Sequence, residues 1–353
     1  MGLLRLLFAL SIVIFHIGGV LGYYLLNREV AVLSFFIISG FYMALVLERK
    51  YVKKNKEYLL FITNRFLRIY PLYLLILAIT VLFTLAKFLF PIGTPDNAIL
   101  HYVNNYAGNP HGFIFLDITN VILRNLTLII TTDYLGVDSR AAGYLIIPQA
   151  WTLQIELLFY LVIPFIIWRN IKVLVGVVIA FLLLFFYLQH FQATAQYNLA
   201  LVFLHHLLYF LLGIISFYLF RFIEHKNISR AFLKYIFIFY LIYLLAYNSL
   251  TLPFNFTFDT TLNFLHYIIF TAVLPFIFLY SQKNKLDQIL GELSYPIYIS
   301  HILIIKIVSN SFLAEKPFAG LIAIALTLIV SIGLIRFIEM PIEVYRQRRL
   351  SSK

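Results

Sequence analysis

The chain has 353 residues, 62% of them hydrophobic and 12% charged, and its 27 Lys and Arg against 15 Asp and Glu give a formal charge of +12. A water-soluble fold of this length has no use for so much apolar surface. Repeated apolar runs of around twenty residues mark a polytopic α-helical membrane protein rather than a β-barrel, whose strands alternate. The positive charge stands mostly in short connectors between apolar runs, which is the footprint of membrane topology and argues against a nucleic-acid partner, and the absence of cysteine excludes disulfides and thiol catalysis.

The first apolar run, Leu3–Gly22, has no small-x-small cleavage site and leads directly into a second span, so it reads as a membrane segment and not a signal peptide. Leu6 excludes myristoylation of the Met-Gly start. The run carries Arg5 and, near its far end, His16. On an α-helix this separation is three turns plus roughly 20°, which puts both groups on one face about 16 Å apart along the axis. Two ionisable groups on one stripe of a membrane helix imply that the stripe looks into protein or a wet cavity.

About ten spans are expected in all. After the first they are Val30–Leu47, Ile69–Phe90, Trp151–Trp168, Val173–Gln189, Leu199–Phe220, Phe232–Leu252, Leu262–Tyr280, Ser294–Phe312 and Phe318–Ile338. The basic residues test this order. The second connector carries Arg49, Lys50, Lys53, Lys54, Lys56, Arg65 and Arg68, and the later even connectors and the tail are likewise basic. The odd connectors hold only Arg28, Arg124, Arg140 and Lys316, so both termini are expected in the cytoplasm. The long third connector, Pro91–Ala150, has an apolar middle, Asn120–Ile130, interrupted by Arg124 and followed by Asp133. An outer-face cap or re-entrant element is expected there, since long structured loops usually carry function. Residues 1–342 read as a single transmembrane domain and residues 343–353 as a basic cytoplasmic tail. No internal repeat of the kind common in transporters is visible.

With this orientation, depths can be compared. His16 lies roughly 20 Å from the cytoplasmic end of its helix. Glu156, on a span running the other way from Trp151, lies roughly 8 Å below the outer boundary, which is about 22 Å from the inside of a 30 Å core. A His and a carboxylate at one level can form a base and its partner. Arg65 and Arg68, three apart in Asn64-Arg65-Phe66-Leu67-Arg68-Ile69-Tyr70-Pro71, share a face near the cytoplasmic end, at the level of Arg5. Three guanidiniums make a good anion site. His301 falls between the arginine level and the His16 level.

Each feature also has a plainer reading. The arginines can be topology anchors or snorkelling residues, His16 a structural histidine, and Glu156 the counter-charge of a buried arginine. Ser39-Gly40 permits close helix packing. His205, His206 and His266 read as interfacial residues. Glu339-Met340-Pro341 reads as a helix stop, with Glu339 pairing a cytoplasmic arginine.

Taken in order, the motifs resemble those of the acyltransferase-3 family of integral membrane O-acyltransferases, which includes bacterial enzymes that acetylate surface polysaccharides. Arg5-x10-His16 resembles the family's Arg-x10-His, and Phe35-Phe36-x-x-Ser39-Gly40-Phe41 its second-span motif. Arg65-x-x-Arg68 before Ile69-Tyr70-Pro71 resembles its basic third-span start, and Trp151-Thr152-Leu153-x-x-Glu156 its Trp-Ser/Thr-Leu-x-x-Glu. Gly291-x-x-Ser294-Tyr295-x-Ile297-Tyr298-x-x-His301 and Glu339-x-Pro341 resemble its late motifs. The resemblance implies transfer of an acyl group, acetyl in the simplest case, from cytoplasmic acetyl-CoA or another acyl-CoA to a hydroxyl of an outward-facing glycan, with no metal. On this reading Arg5, Arg65 and Arg68 hold the phosphate-rich head of coenzyme A and His301 lines the path of its arm. His16 is the general base and Glu156 orients the imidazole or holds its charge, with a covalent acyl-His16 as a variant. Ser39, Trp151, Tyr298 and Glu339 are the other candidate site residues. The expected partners are membrane lipid and a surface polysaccharide or lipid-linked oligosaccharide in the cell envelope of a bacterium, at its inner membrane; an oligomer is compatible with the sequence. The rival reading is a transporter, flippase or polymerase of lipid-linked glycans.

Overall fold

The structure, a computed structural model, describes residues 1–20, 22–51, 57–90, 114–128, 145–167, 175–180, 183, 199–251, 258–316 and 318–351. The described residues are helical with turns, and the one bridge between extended residues joins Val20 to Tyr23. The helices are α1 (Gly2–His16), α2 (Arg28–Val46), α3 (Glu57–Leu89), α4 (Ile114–Thr127), α5 (Trp151–Ile167), α6 (Leu199–Ile223), α7 (Arg230–Thr251), α8 (Phe258–Ser281), α9 (Lys285–Glu292), α10 (Ser294–Ser309), α11 (Ala319–Leu334) and α12 (Met340–Ser351). Seven stretches of the described residues are long and apolar enough to cross a membrane, and α1 is a shorter apolar helix. The chain is a multi-pass, all-α membrane protein. Of the expected span Val173–Gln189 only residues 175–180 and 183 are described, and they are helical.

The chain divides into two compact units. The first comprises Met1–Thr63, Phe159–Ala193 and Phe203–Tyr298. In it α1 packs on α2 and α9, α2 on α8, and α7 on α8. Helices in lipid gain little from the hydrophobic effect on association, so their contact rests on close backbone approach and shape. Gly40 and Gly213 supply that approach. A Cβ on Gly40 would overlap the Phe210 carbonyl, and one on Gly213 would lie 2.7 Å from the Phe41 nitrogen. The close-packing reading of Ser39-Gly40 is therefore correct. Aromatic rings fill the space around this crossing: Phe36 stacks on Phe210 at 4.6 Å, Phe210 on Phe159 at 4.0 Å, and Phe41 meets Phe217, Phe220 and Phe278 edge-on. Such pairs add about 0.5–1.5 kcal/mol each beyond the area they bury.

His266 is a correction. It is not interfacial but fully buried. The Ser34 hydroxyl donates to the Val30 carbonyl at 2.7 Å and accepts from His266 Nε2 at 3.1 Å, while the Tyr243 hydroxyl donates to Nδ1 at 3.3 Å. One tautomer satisfies all three bonds, as a buried polar network requires. Where α2 passes into a π-helical turn, Leu47–Tyr51, Glu48 and Arg49 pair reciprocally with Arg221 and Glu224 near the end of α6.

The second unit comprises Asn64–Leu158, Thr194–Val202 and Ile299–Lys353. In it Tyr70 and Tyr73 of α3 donate to the Thr127 and Asn125 carbonyls of α4, the latter at 2.6 Å. Asn125 also accepts from the Ile146 backbone at 3.0 Å. With 14 residues, α4 rises about 21 Å and falls short of a 30 Å hydrocarbon core. Its residues cover most of the apolar middle of the third connector, so that middle is a short helix and not a span.

Two expected helix boundaries are corrected here. α3 runs 33 residues from Glu57, through Pro71, so Asn64-Arg65 stands about two turns inside the helix and not at its start. Glu339-Met340-Pro341 is not a stop. The chain passes through a π-helical turn, Ile335–Glu339, and continues as α12. Proline lacks an N–H and crowds the carbonyl one turn back, and a π-turn absorbs that local mismatch without ending the helix.

Candidate active site

α1 is built to hold Arg5 and His16 at its two ends. At the start, the Asp287 carboxylate accepts from the Gly2 and Leu3 N–H groups at 2.8 and 2.9 Å, a cap lent by α9. α9 is itself capped by Asn284, which accepts from Leu286 and Asp287 at 3.0 and 3.3 Å. The two helices meet through glycines. A Cβ on Gly291 would lie 2.8 Å from Gly2 Cα and 3.6 Å from Arg5 Nη1, so the Arg5 guanidinium rests against a glycine that leaves room for it.

At its other end, α1 stops at His16, six residues before the expected limit at Gly22. Gly18 N–H donates to Phe15 at 3.2 Å and Gly19 N–H to Ile14 at 2.9 Å, the paired bonds of a Schellman cap. Gly18 and Gly19 have φ of +80° and +92°, which side-chain-bearing residues resist. The apolar character of this stretch hid the turn. With 15 residues, α1 rises about 22 Å, less than the 30 Å core. Irregular backbone at membrane depth is tolerated where it is buried in protein or lines a wet cavity.

His16 is half-buried, and its Nδ1 lies 2.8 Å from the Ile12 carbonyl. A carbonyl only accepts, so Nδ1 carries hydrogen, and in the neutral ring Nε2 bears the lone pair. The His16 ring meets Phe15 edge-on at 5.8 Å, Phe15 lies 6.4 Å from Tyr24, and the Arg28 guanidinium sits over Phe15 at 5.2 Å. Of the other candidates in this unit, Ser39 is half-buried on α2 beside the Gly40 crossing. Tyr298 lies 6.5 Å from Phe35, which in turn meets Phe8 of α1 at 5.8 Å.

The second unit holds the remaining candidates. Arg65 and Arg68 share α3 but not an environment: Arg65 is 4% exposed and Arg68 is exposed. A spacing of three leaves them about 60° apart around the helix, enough for one to face inward and the other outward. Asn64, fully buried, accepts from Arg349 Nη1 of α12 at 3.0 Å, so the basic tail is tied to the start of the Arg65 motif. Trp151 opens α5 after a 3₁₀ turn, Pro148–Ala150, and Glu156 stands half-buried further along α5. The Gln149 side-chain amide of that turn donates to the Ile299 carbonyl at 2.9 Å, and the Gln149 backbone carbonyl accepts from the Thr152 hydroxyl at 3.1 Å. This places the start of α5 against α10, which carries the fully buried His301 two residues on from Ile299. Glu339 is half-buried in the π-turn before α12.

Four supporting groups lie outside the sequence motifs: Asp287, Gln149, Arg349 and the Ile12 carbonyl. Asn284-x-x-Asp287 has the spacing of a capping box and was a visible signal. The others act through backbone or across distant parts of the sequence and carry no local signature. Among the described residues no three His, Asp or Glu side chains gather as a metal would need.

The acyltransferase-3 family, described as an acyltransferase domain, matches residues 1–336, from α1 into the π-turn after α11. The chain belongs to this family. It is a membrane acyltransferase, as the family resemblance of its ordered motifs implied. Among curated proteins and among solved structures, nothing matches it.

Proposed function

We propose that this acyltransferase moves an acyl group, acetyl in the simplest case, from cytoplasmic acyl-CoA to a hydroxyl of an extracytoplasmic glycan. The observation that carries the reading is His16, at the end of a short apolar helix with Nδ1 committed to the Ile12 carbonyl. That bond survives protonation, because neutral Nδ1–H imidazole and imidazolium both donate it. Nε2 is then the atom that takes the acceptor's proton. The acceptor oxygen attacks the thioester carbonyl, the tetrahedral intermediate collapses with loss of the C–S bond, and the thiolate takes the proton back from Nε2. The products are a glycan ester and free coenzyme A.

In this reading Glu156 offsets the positive charge of the imidazolium. Because Ile12 already orients the ring, the carboxylate's part is electrostatic and not that of a triad aspartate. Arg5, Arg65 and Arg68 take the donor's phosphates, with Arg chosen for its bidentate fork, and His301 borders the pantetheine arm. The acceptor is a surface polysaccharide or lipid-linked oligosaccharide, both termini are cytoplasmic, and the enzyme works in the inner membrane of a bacterial cell. Family membership favours this reading over a transporter, flippase or polymerase.

The test is purified protein in lipid vesicles with labelled acetyl-CoA and hydroxylated glycan acceptors. Thioester-dependent transfer of label is expected, and His16→Ala is expected to lower its rate by about 10²–10⁴-fold while leaving the melting temperature unchanged. A His16→Ala protein with the wild-type rate would overturn the mechanism. Saturable glycan movement without an acyl donor would overturn the reaction class.

A further inference from the structure

We propose that Arg28, held over Phe15 beside His16, binds an anionic group on the acyl acceptor, so that the preferred acceptor is a glycan bearing a carboxylate or phosphate. This rests on the reading of His16 as the group that meets the acceptor hydroxyl. Arg28 is exposed, and its one described contact is the Phe15 ring at 5.2 Å. It makes no ion pair or hydrogen bond with any described residue, and the adjacent Glu29 does not pair with it. Phe15, itself 38% exposed, is also the ring that meets His16 edge-on at 5.8 Å. An unpaired guanidinium thus stands one aromatic ring away from the group that activates the nucleophile.

The described residues between them are tied by several hydrogen bonds. The Schellman cap ends α1, and Val20 and Tyr23 exchange backbone hydrogen bonds at 3.0 and 2.9 Å around Gly22, whose φ is +79°. The Tyr24 hydroxyl donates to the Gly18 carbonyl at 2.7 Å, and its ring packs on Gly19. At the far end Asn27 caps α2 by accepting from Glu29 N–H at 3.1 Å. The backbone that carries Arg28 is thus ordered, and its guanidinium rests on the Phe15 ring, from where its fork of N–H donors can grip a planar or tetrahedral oxyanion in bidentate fashion. A neutral sugar leaves that fork unused. Phe15 and Tyr24 add ring faces beside it, which suit the C–H face of a sugar.

The experiment uses the full chain in phosphatidylcholine vesicles and three probes: a glucuronate-containing tetrasaccharide, its carboxyl-reduced form, and a tetrasaccharide carrying a phosphomonoester. Binding of each probe and acetyl transfer to each are measured for wild type, Arg28→Gln and Arg28→Lys. Wild type is expected to bind the charged probes more tightly than the reduced one. Arg28→Gln is expected to lower that preference by about ten- to a hundredfold, the worth of a charge-assisted hydrogen bond or two, and Arg28→Lys to restore part of it. Whichever of the carboxylate and phosphate probes loses more on substitution identifies the anion. Equal affinity of wild type for the charged and reduced probes, or a preference unchanged in Arg28→Gln, would overturn the proposal. So would a preference that disappears for wild type when phosphatidylglycerol replaces part of the vesicle lipid at constant ionic strength, because Arg28 would then be a lipid-phosphate anchor. Binding is scored separately from turnover. Wild type that binds the charged probes but never consumes the thioester would sink the acyl-transfer reading and leave the Arg28 assignment standing.

Discussion

The two units of this chain hold their candidate groups by different means. In the first, backbone holds His16: a carbonyl orients it and positive-φ glycines end its helix, while glycines bring α1 onto α9 and α2 onto α6 and the Asp287 side chain caps α1 at its Arg5 end. In the second, side chains do it: Gln149 reaches Ile299, Arg349 reaches Asn64, and Tyr73 reaches Asn125. Backbone support survives most side-chain changes but fails sharply where a glycine gains bulk. Side-chain support fails in smaller, separable steps, one hydrogen bond at a time.

That contrast can be broken by substitution. The largest effect is expected from Gly40→Leu, which forces a side chain into the Phe210 carbonyl. Overpacking of this kind costs about 1–3 kcal/mol and more where backbone cannot yield, so the protein should lose several degrees in melting temperature or fail to accumulate. A Gly40→Leu protein as stable as wild type would show that the crossing is not close-packed. Next comes Gln149→Ala, which removes a buried donor to Ile299. A loss of about 1–3 kcal/mol is expected, and backbone hydrogen exchange should rise locally, around Trp151 and Ile299, and not across the protein. The smallest is Asp287→Ala, which removes the cap on α1 at about 0.5–2 kcal/mol. If the comparison holds, its exchange signature stays at Gly2–Arg5 and the Nδ1 hydrogen bond of His16, read by imidazole NMR, is unchanged, because the other end of α1 has its own cap.

Much of the candidate site was legible locally. Arg5 and His16 on one apolar helix, the Trp151–Glu156 segment and the Arg65–Arg68 pair are recognisable because their residues are near neighbours in sequence. The ends of elements are less legible. Gly18-Gly19 sits in an apolar run, and hydropathy does not register the positive φ that ends α1 there. Residues 57–68 are polar enough to look like a connector, yet they are helical, since helix formation does not require an apolar surround. Pro341 looked terminal because proline removes one hydrogen bond, but a π-turn accommodates it. His266 looked interfacial because its partners Ser34 and Tyr243 come from α2 and α7 and are far from it in sequence.

The sequence by itself determined that this is a multi-pass membrane protein of the acyltransferase-3 family, because hydropathy and motif order are properties of the linear chain. Only the tertiary structure decided that Nδ1 of His16 is committed to the Ile12 carbonyl, why Gly291 must be a glycine beside Arg5, and that Arg28 lies over the Phe15 ring that meets the imidazole. Those facts depend on where a helix stops and on which backbone passes within a few ångströms of another. Such distances are set by packing among segments that the sequence keeps far apart.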